Sequence, residues 1–582
     1  MRRTKIVCTI GPASDAEEVI KGLILAGMDV ARLNFSHGAH EEHGQRIKKV
    51  RRLASELGRT VAIMLDTKGP EVRTGVFRGG KAYLAPGGKV LLTAGDIMGD
   101  STHIPINYPR LSAYLRPGDT ILLDDGALSL KVDECRDQEV VCTVVNGGEI
   151  RDHKGVNLPG VGLDLPALSP QDVEDIEFGL ELGIDFIAAS FIRQATDILE
   201  IRHLVEKRNH CAQIIAKIET PQALENLDDI LRVADGLMVA RGDLGVEIAV
   251  EEVPRVQKQI IAKANRAGKP VITATQMLES MISSPRPTRA EASDVYNAIL
   301  DGSDALMLSG ETAAGQYPVE AVRVMDRIAQ RAEATLPMRD FGDEEEQGRL
   351  TVTEAISRAS CTLARSLEVA AIIAPTASGT TARMVSRYRP RVPIIAVSPN
   401  QHVVRRLCLT WGVYPLLAKR RAGTDEMIEE AVEAALQAGI ISQGDLTVVT
   451  AGVPVGGPGT TNLLKVHLVG EVLVRGTGIG GLSAQGTVRI VHSPQEAWEK
   501  VQEGDILVCA STDAEYLPAM RKAAAIITET GGLTSHAAII GLELNLPVVV
   551  GVERATEKLK DGLRVTVDGA RGTVYQAASK VL

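Results

Sequence analysis

Eight short apolar runs, most of them rich in β-branched residues, recur through the first two thirds of the chain. Each ends in polar residues or glycine ahead of an amphipathic helical segment. In order they are KIVCTIG, DVARLNFS, TVAIMLD and, after a long interruption, DFIAASF, QIIAKIE, GLMVARGD, PVITATQ and ALMLSGE. Such βα repetition predicts an α/β protein built on a (β/α)8 TIM barrel, since eight parallel strands with a helix after each close on themselves. The active site of such a barrel lies at the C-terminal ends of its strands, where the polar residues fall. Residues two apart on a strand share a face, so Arg32, Asn34 and Ser36 are expected to point together, as are Lys217 with Glu219 and Arg241 with Asp243. Packing alone would place Val, Leu or Ile there, and so many charged groups at one mouth predict catalysis.

The interruption, residues 70–166, reads differently. KVLLTA, TILLDD, LSLKVDE and EVVCTVV alternate in polarity between Gly, Pro and Asp turns, which predicts a small antiparallel β domain inserted into a barrel of residues 1–69 and 167–342. An insertion over the mouth is a natural lid. Beyond the barrel, the acidic stretch Asp343 to Glu346 is expected to be a linker, and TVTE from Thr351 offers a capping box. Residues 350–470 give further αβ alternation, with AAIIAP, PIIAVS and LTVVTA as buried parallel strands. There TASGTT, Thr376 to Thr381, runs straight into a helical segment, as either a phosphate cradle or an ordinary capped βα turn. Residues 471–482 read as a Gly-rich linker to a tail, 483–582, that carries TETGGLTSHAAIIG. His536 in that stretch opens a helix-like run, where it could carry a phosphoryl group or belong to a cap.

A chain of 582 residues should hold three to five domains at roughly 150 residues each. With 45% hydrophobic and 24% charged residues the balance is that of a folded protein. A net charge of -10 and 3% aromatics speak against nucleic acid as a partner. The seven cysteines are scattered and never spaced as C-x-x-C, which suggests a reducing cytoplasmic setting rather than disulfides or zinc. No apolar run approaches the roughly 18 residues a membrane span needs, so a soluble, unexported protein is expected.

The strand ends taken together resemble the pyruvate kinase family over residues 1 to about 470, through KIVCTIGPAS, RLNFSHG, LDTKGPEVRTG, IIAKIE, VARGDLG, PVITATQML, PRPTRAEASD and LSGETA. The resemblance implies a barrel with a small β-barrel lid, a C-terminal α/β regulatory domain and a homotetramer. It also implies direct transfer of the phosphoryl group of phosphoenolpyruvate to ADP, followed by protonation of the enolate to pyruvate. Phosphoryl transfer asks mostly for positioning and positive charge. Lys217 is, by resemblance, the lysine that touches the moving group; a unit charge about 4 Å away contributes on the order of 4 kcal/mol at an effective dielectric of 20. A salt bridge to Glu219 is the weaker alternative, because two residues on one strand face more naturally share a ligand. The resemblance places Mg2+ (or Mn2+) on Glu219 and Asp243, and the substrate carboxylate on the amides of Gly242 and Asp243. It puts K+ on the oxygens of Asn34, Ser36, Asp66 and Thr67, and Glu71 is the residue type that goes with K+ dependence. Arg32, Asn34, His37, Arg73 and Lys154 form the implied nucleotide group, Arg32 also meeting substrate. Thr275 is implied to face the enolate and share in its protonation through water, against the bland reading of a hydroxyl bonded to backbone.

Two departures stand out. Family members that answer to fructose 1,6-bisphosphate often carry a lysine after the first threonine of the phosphate loop and an arginine in a later Gly-rich loop. Here those places are Ala377 and the charge-free AGVPVGGPGTTN. The expected effector is therefore a monophosphate, AMP or a sugar phosphate such as ribose 5-phosphate, at Thr376, Ser378, Gly379, Thr380 and Thr381. The tail resembles the swivelling phosphohistidine β/α domain of pyruvate, phosphate dikinase and phosphoenolpyruvate synthase, with His536 in the carrier position. Nothing in the chain resembles the ATP-grasp domain that phosphorylates that histidine, so a structural or regulatory tail is favoured over a histidine-relay phosphotransferase. A non-catalytic sensor would need a damaged mouth, whereas Lys217, Glu219, Asp243 and Thr275 are all present.

Overall fold

The computed structural model describes residues 1–95, 97–336, 350–453, 461–470 and 472–576. They fall into two compact units, the first holding residues 1–358 and 376–417 and the second residues 359–375 and most of the chain beyond residue 417. The expected linker Asp343 to Glu346, and residues 454–460 of the charge-free loop, lie outside the described residues.

In the first unit the eight apolar runs form strands Lys5–Thr9, Val30–Asn34, Ala62–Asp66, Phe186–Ala189, Gln213–Ile218, Gly236–Ala240, Val271–Ala274 and Ala305–Leu308. Each pairs in parallel with its sequence neighbour, and the last pairs with the first, closing the barrel. The strands are buried on both faces over most of their length, which is why they read as mainly apolar runs. Inward-facing residues such as Val7, Met64, Phe186, Met238 and Ile272 fill the interior. Cys408 and Leu409 belong to the same cluster. They enter from the N-terminal ends of the strands, where Lys5 Nζ donates to Val413 O at 2.6 Å. The barrel thus has a floor supplied by residues far along the chain.

The lid is a six-stranded sheet in the order Val156–Asn157, Thr120–Leu123, Leu128–Cys135, Glu139–Asn146, Lys89–Ala94, His103–Ile106, with a separate hairpin-like pair of Lys81–Leu84 and Gly148–Arg151. The expectation of a purely antiparallel domain is corrected at one edge, where Lys89–Ala94 and His103–Ile106 run parallel. The polar segment between them carries the chain back along the sheet instead of turning tightly, and Asp100 Oδ1 organises it by accepting the amides of Thr102 and His103. Still in this unit, Thr351 and Glu354 form the expected capping box at the start of helix Val352–Ser366. Strand Ile394–Ser398 pairs in parallel with Val413–Leu417.

In the second unit, strands Ala371–Pro375 and Leu446–Gly452 pair in parallel, and Leu446–Gly452 pairs antiparallel with Thr461–Leu468. The tail forms an eight-stranded mixed sheet in the order Val472–Arg475, Thr573–Gln576, Arg564–Asp568, Ser483–Ile490, Ile506–Cys509, Ala525–Thr528, Val548–Val550, Thr477–Ile479. The expected Gly-rich linker is therefore corrected, since two of its segments are strands of this sheet. Its glycines serve close approach: a Cβ on Gly478 would sit 2.3 Å from Gly569 O, and one on Gly476 2.4 Å from Val550 O.

Candidate active site

Strand Ala62–Asp66 brings Asp66 to the C-terminal mouth between two cations. Arg32 Nε donates to Asp66 Oδ2 at 2.6 Å, and Lys217 Nζ lies 3.3 Å from Asp66 Oδ1. Burial works against the Asp66 carboxylate, but Arg32 and Lys217 outweigh it and hold the carboxyl below its usual range. Burial likewise opposes the Lys217 ammonium, while Asp66 and then Glu219 raise it, so the lysine stays charged. Lys217 Nζ also donates to Ser190 Oγ at 2.8 Å and lies 2.9 Å from Glu219 Oε1. The Lys217–Glu219 ion pair, read from the sequence as the weaker alternative, is thus formed: two opposite charges on one strand face meet each other. Arg32 and Lys217 thus share Asp66 as a counter-ion and Lys217 also meets Glu219, so both cations are held in place at the mouth, where an anionic group could meet them.

Asn34 is the register partner of Asp66, and its Oδ1 accepts the Ser36 amide at 3.2 Å. Thr67, buried beside them, accepts the Ser190 amide on Oγ1 at 3.1 Å. The alternation expected of Arg241 and Asp243 is not realised, because the strand ends at Ala240 and helix Arg241–Glu247 begins at once. Arg241 turns back to donate to Thr275 O at 2.7 Å and pairs with Asp294, while Asp243 stays in the mouth. The Thr275 hydroxyl accepts the Gly242 amide at 2.8 Å and donates to Ala274 O at 2.6 Å. Its backbone sits at φ +66°, a costly state for a β-branched residue and one that clusters at functional sites.

Lid and barrel enclose a cleft of about 630 Å³ that takes in His37, Arg73, Lys154 and Asp243. Arg73 Nε donates to Glu71 Oε2 at 2.5 Å and Lys154 Nζ pairs with Asp124 at 2.8 Å. Across the cleft Asn157 Nδ2 of the lid donates to Glu247 Oε1 at 2.9 Å, tying the lid to the helix that carries Gly242 and Asp243 in its first turn.

The carboxylates of Glu219 and Asp243 suit a divalent cation. Burial pushes the Glu219 carboxyl up to about 7; Lys217 opposes this and the charge of Asp243 adds to it. Glu219 Oε2 accepts the Phe191 amide at 2.6 Å, whereas Oε1 has no hydrogen bond of good geometry despite its nearness to Lys217. A buried carboxylate with an idle oxygen beside a second carboxylate is what a hard cation relieves. Among the described residues no three His, Cys, Asp or Glu side chains converge, so such a cation would take its remaining ligands from substrate and water.

The residues of TASGTT do not line the cleft. Thr376 Oγ1 accepts the Gly379 amide at 2.9 Å, and the Ser378 and Thr380 hydroxyls lie 3.0 Å apart. Gly379 takes φ +86°, with Leu407 3.2 Å and Val403 3.5 Å from where a Cβ would stand, and Thr381 lies in the first turn of helix Thr380–Arg387. One cation escaped the sequence reading: Arg383, a turn further on, reaches Thr380 Oγ1 at 3.4 Å. In the second unit His536 begins helix His536–Glu543, and its Nδ1 lies 3.0 Å from Thr512 Oγ1. Ser535 makes no side-chain cap there and donates instead to Gly532 O.

Residues 1–322 match the family model described as pyruvate kinase, barrel domain, and residues 354–467 match that described as pyruvate kinase, alpha/beta domain. The chain belongs to the pyruvate kinase family. Residues 501–572 match a third model, PEP-utilising enzyme, mobile domain. Among its relatives, the pyruvate kinase of Geobacillus stearothermophilus is 55% identical over 585 residues, that of Bacillus licheniformis 53% over 586, and that of Staphylococcus aureus strain COL 47% over 585. Each match spans 100% of both chains, so the tail is shared with these pyruvate kinases. Among the described residues no helix is long and apolar enough to cross a membrane.

Proposed function

We propose that this chain transfers the phosphoryl group of phosphoenolpyruvate to ADP at the barrel mouth. The observation that carries the reading is the Lys217 ammonium, mostly withdrawn from solvent and held charged by Asp66 beside Arg32. The bond from phosphorus to the bridging oxygen of phosphoenolpyruvate breaks as one forms to a β-phosphate oxygen of ADP. Lys217 and Arg32 stabilise the charge on the transferring group, and the bridging oxygen keeps the electron pair as the enolate. Glu219 and Asp243 would hold Mg2+ (or Mn2+), which supplies charge neutralisation at the phosphates and the enolate oxygen. The Gly242 amide leaves Thr275 to meet the substrate carboxylate together with that of Asp243. The released Thr275 hydroxyl then orients the water that protonates the methylene carbon.

Asn34, Ser36, Asp66 and Thr67 offer oxygens for K+, and removal of K+ at fixed ionic strength should lower the rate. Arg73 and Lys154 exchange Glu71 and Asp124 for nucleotide phosphates, with Arg32, Asn34 and His37 beside them. Thr376, Ser378, Gly379, Thr380 and Thr381 bind AMP or a sugar monophosphate, supported by the converging hydroxyls and by Arg383. Activation by fructose 1,6-bisphosphate without any by AMP would refute that assignment. We take the chain as a cytoplasmic homotetramer with a barrel (1–69, 167–342), a lid (70–166), an effector domain (350–470) and a structural or regulatory tail. The deciding assay is pyruvate formation from phosphoenolpyruvate and ADP with Mg2+ and K+. Lys217→Ala should nearly abolish it and His536→Ala should leave it unchanged; the reverse pattern would mean a histidine relay.

A further inference from the structure

Directly after the strand Phe186–Ala189, the dipeptide Ser190–Phe191 touches four groups of the mouth. The Ser190 hydroxyl accepts from Lys217 Nζ at 2.8 Å and spends its own proton on Thr67 O at 2.6 Å. The Ser190 amide donates to Thr67 Oγ1 at 3.1 Å, and the Phe191 amide to Glu219 Oε2 at 2.6 Å. Phe191 takes φ +54°, a strained state for a bulky residue, which turns its amide toward Glu219. The turn is locked from outside by Gly69 at φ +77°, where a Cβ would stand 2.8 Å from the Phe191 ring and 3.0 Å from Ser190 Cβ. Gly69 precedes the lid, and its amide donates to Asp172 Oδ1 at 3.1 Å. The other oxygen of Asp172 accepts the amide and hydroxyl of Ser169, where the chain returns from the lid.

We infer that Ser190 is a positioning residue for phosphoryl transfer, its hydroxyl fixing the Lys217 ammonium while Phe191, held by the lid's hinge, fixes Glu219. A hydroxyl with its one proton committed to a carbonyl can only accept from the lysine, so it offers Nζ a neutral, directional anchor. Asp66 and Glu219 attract the ammonium without choosing where it stands between them. Ser190 is buried, has no charge to give, and adds nothing by packing at this strand end that alanine would not.

The inference rests on Lys217 acting on the phosphoryl group, and the experiment separates the two. In the full chain, kcat and KM for phosphoenolpyruvate are compared for Lys217→Ala, Ser190→Ala, Ser190→Thr and Ser190→Val, alongside deuterium uptake into the methyl group of pyruvate, which reports the proton step alone. A hydrogen bond to a charged group predicts a fall in kcat of about tenfold to a hundredfold for Ser190→Ala, with KM within about twofold. Deuterium uptake should stay near that of the unmodified chain. Threonine and valine are isosteric, so the threonine variant should outpace the valine variant by a similar factor even where alanine disturbs folding. Equal rates for threonine and valine, or parallel loss of transfer and deuterium uptake, would overturn the role of Ser190. An unchanged rate in Lys217→Ala would instead overturn the reading of Lys217 itself.

Discussion

At the mouth, two buried carboxyls are pushed in opposite directions, and each direction has a measurable consequence. Asp66 is held below its usual range, so its contribution is present above about pH 3.8 and is lost as pH falls below that value. Asp66→Asn leaves Arg32 and Lys217 without their shared counter-ion and should cost about 3–5 kcal/mol in urea denaturation at pH 7. Glu219 is raised to about 7, so protons compete with a divalent cation for it. Mn2+ bound by the cation-free protein should weaken by up to about tenfold per pH unit below 7 and level off above it, with proton release seen by calorimetry in matched buffers. Affinity independent of pH between 6 and 8 would rule Glu219 out as a ligand. The polar residues at strand ends were legible because they interrupt runs that packing alone would fill with aliphatics. Ser190 was not, because a lone serine after Ala188 and Ala189 looks like any strand end until the fold sets it beside Lys217.

Barrel strands announce themselves because parallel strands are covered on both faces, so their middles are mainly aliphatic and polar residues gather toward their ends. The tail strands Val472–Arg475 and Thr477–Ile479 are short and glycine-broken, which is the local signature of a linker; only pairing partners far along the chain turn them into sheet. Gly478→Val should therefore disrupt the tail, putting a side chain where Gly569 O now lies. Limited proteolysis should release tail fragments faster, while pyruvate formation stays within about twofold. Gly379 makes the complementary case in the effector loop. Gly379→Ala forces a Cβ against Leu407 at φ +86°, at a cost of about 1–3 kcal/mol. Half-saturation by phosphoenolpyruvate should then no longer fall when AMP is added, although the rate at saturating substrate is kept.

Across the whole molecule, the barrel's interior is closed from below by residues that come long after its last strand. Leu409→Asp would put a charge under Met64 and Ile272 and should lower stability by more than about 3 kcal/mol, read as a shifted urea midpoint and increased binding of an apolar dye. A fragment ending at residue 336 should bind the dye as strongly, for the same reason. Synthesis meets the same condition in time. The eighth strand ends at Leu308, but Cys408 leaves the ribosome roughly a hundred residues later, or about 5–20 s at ordinary elongation rates. For that interval the newborn barrel has all its strands and no floor. Its exposure to aggregation during expression is set by how fast residues 309–409 are made.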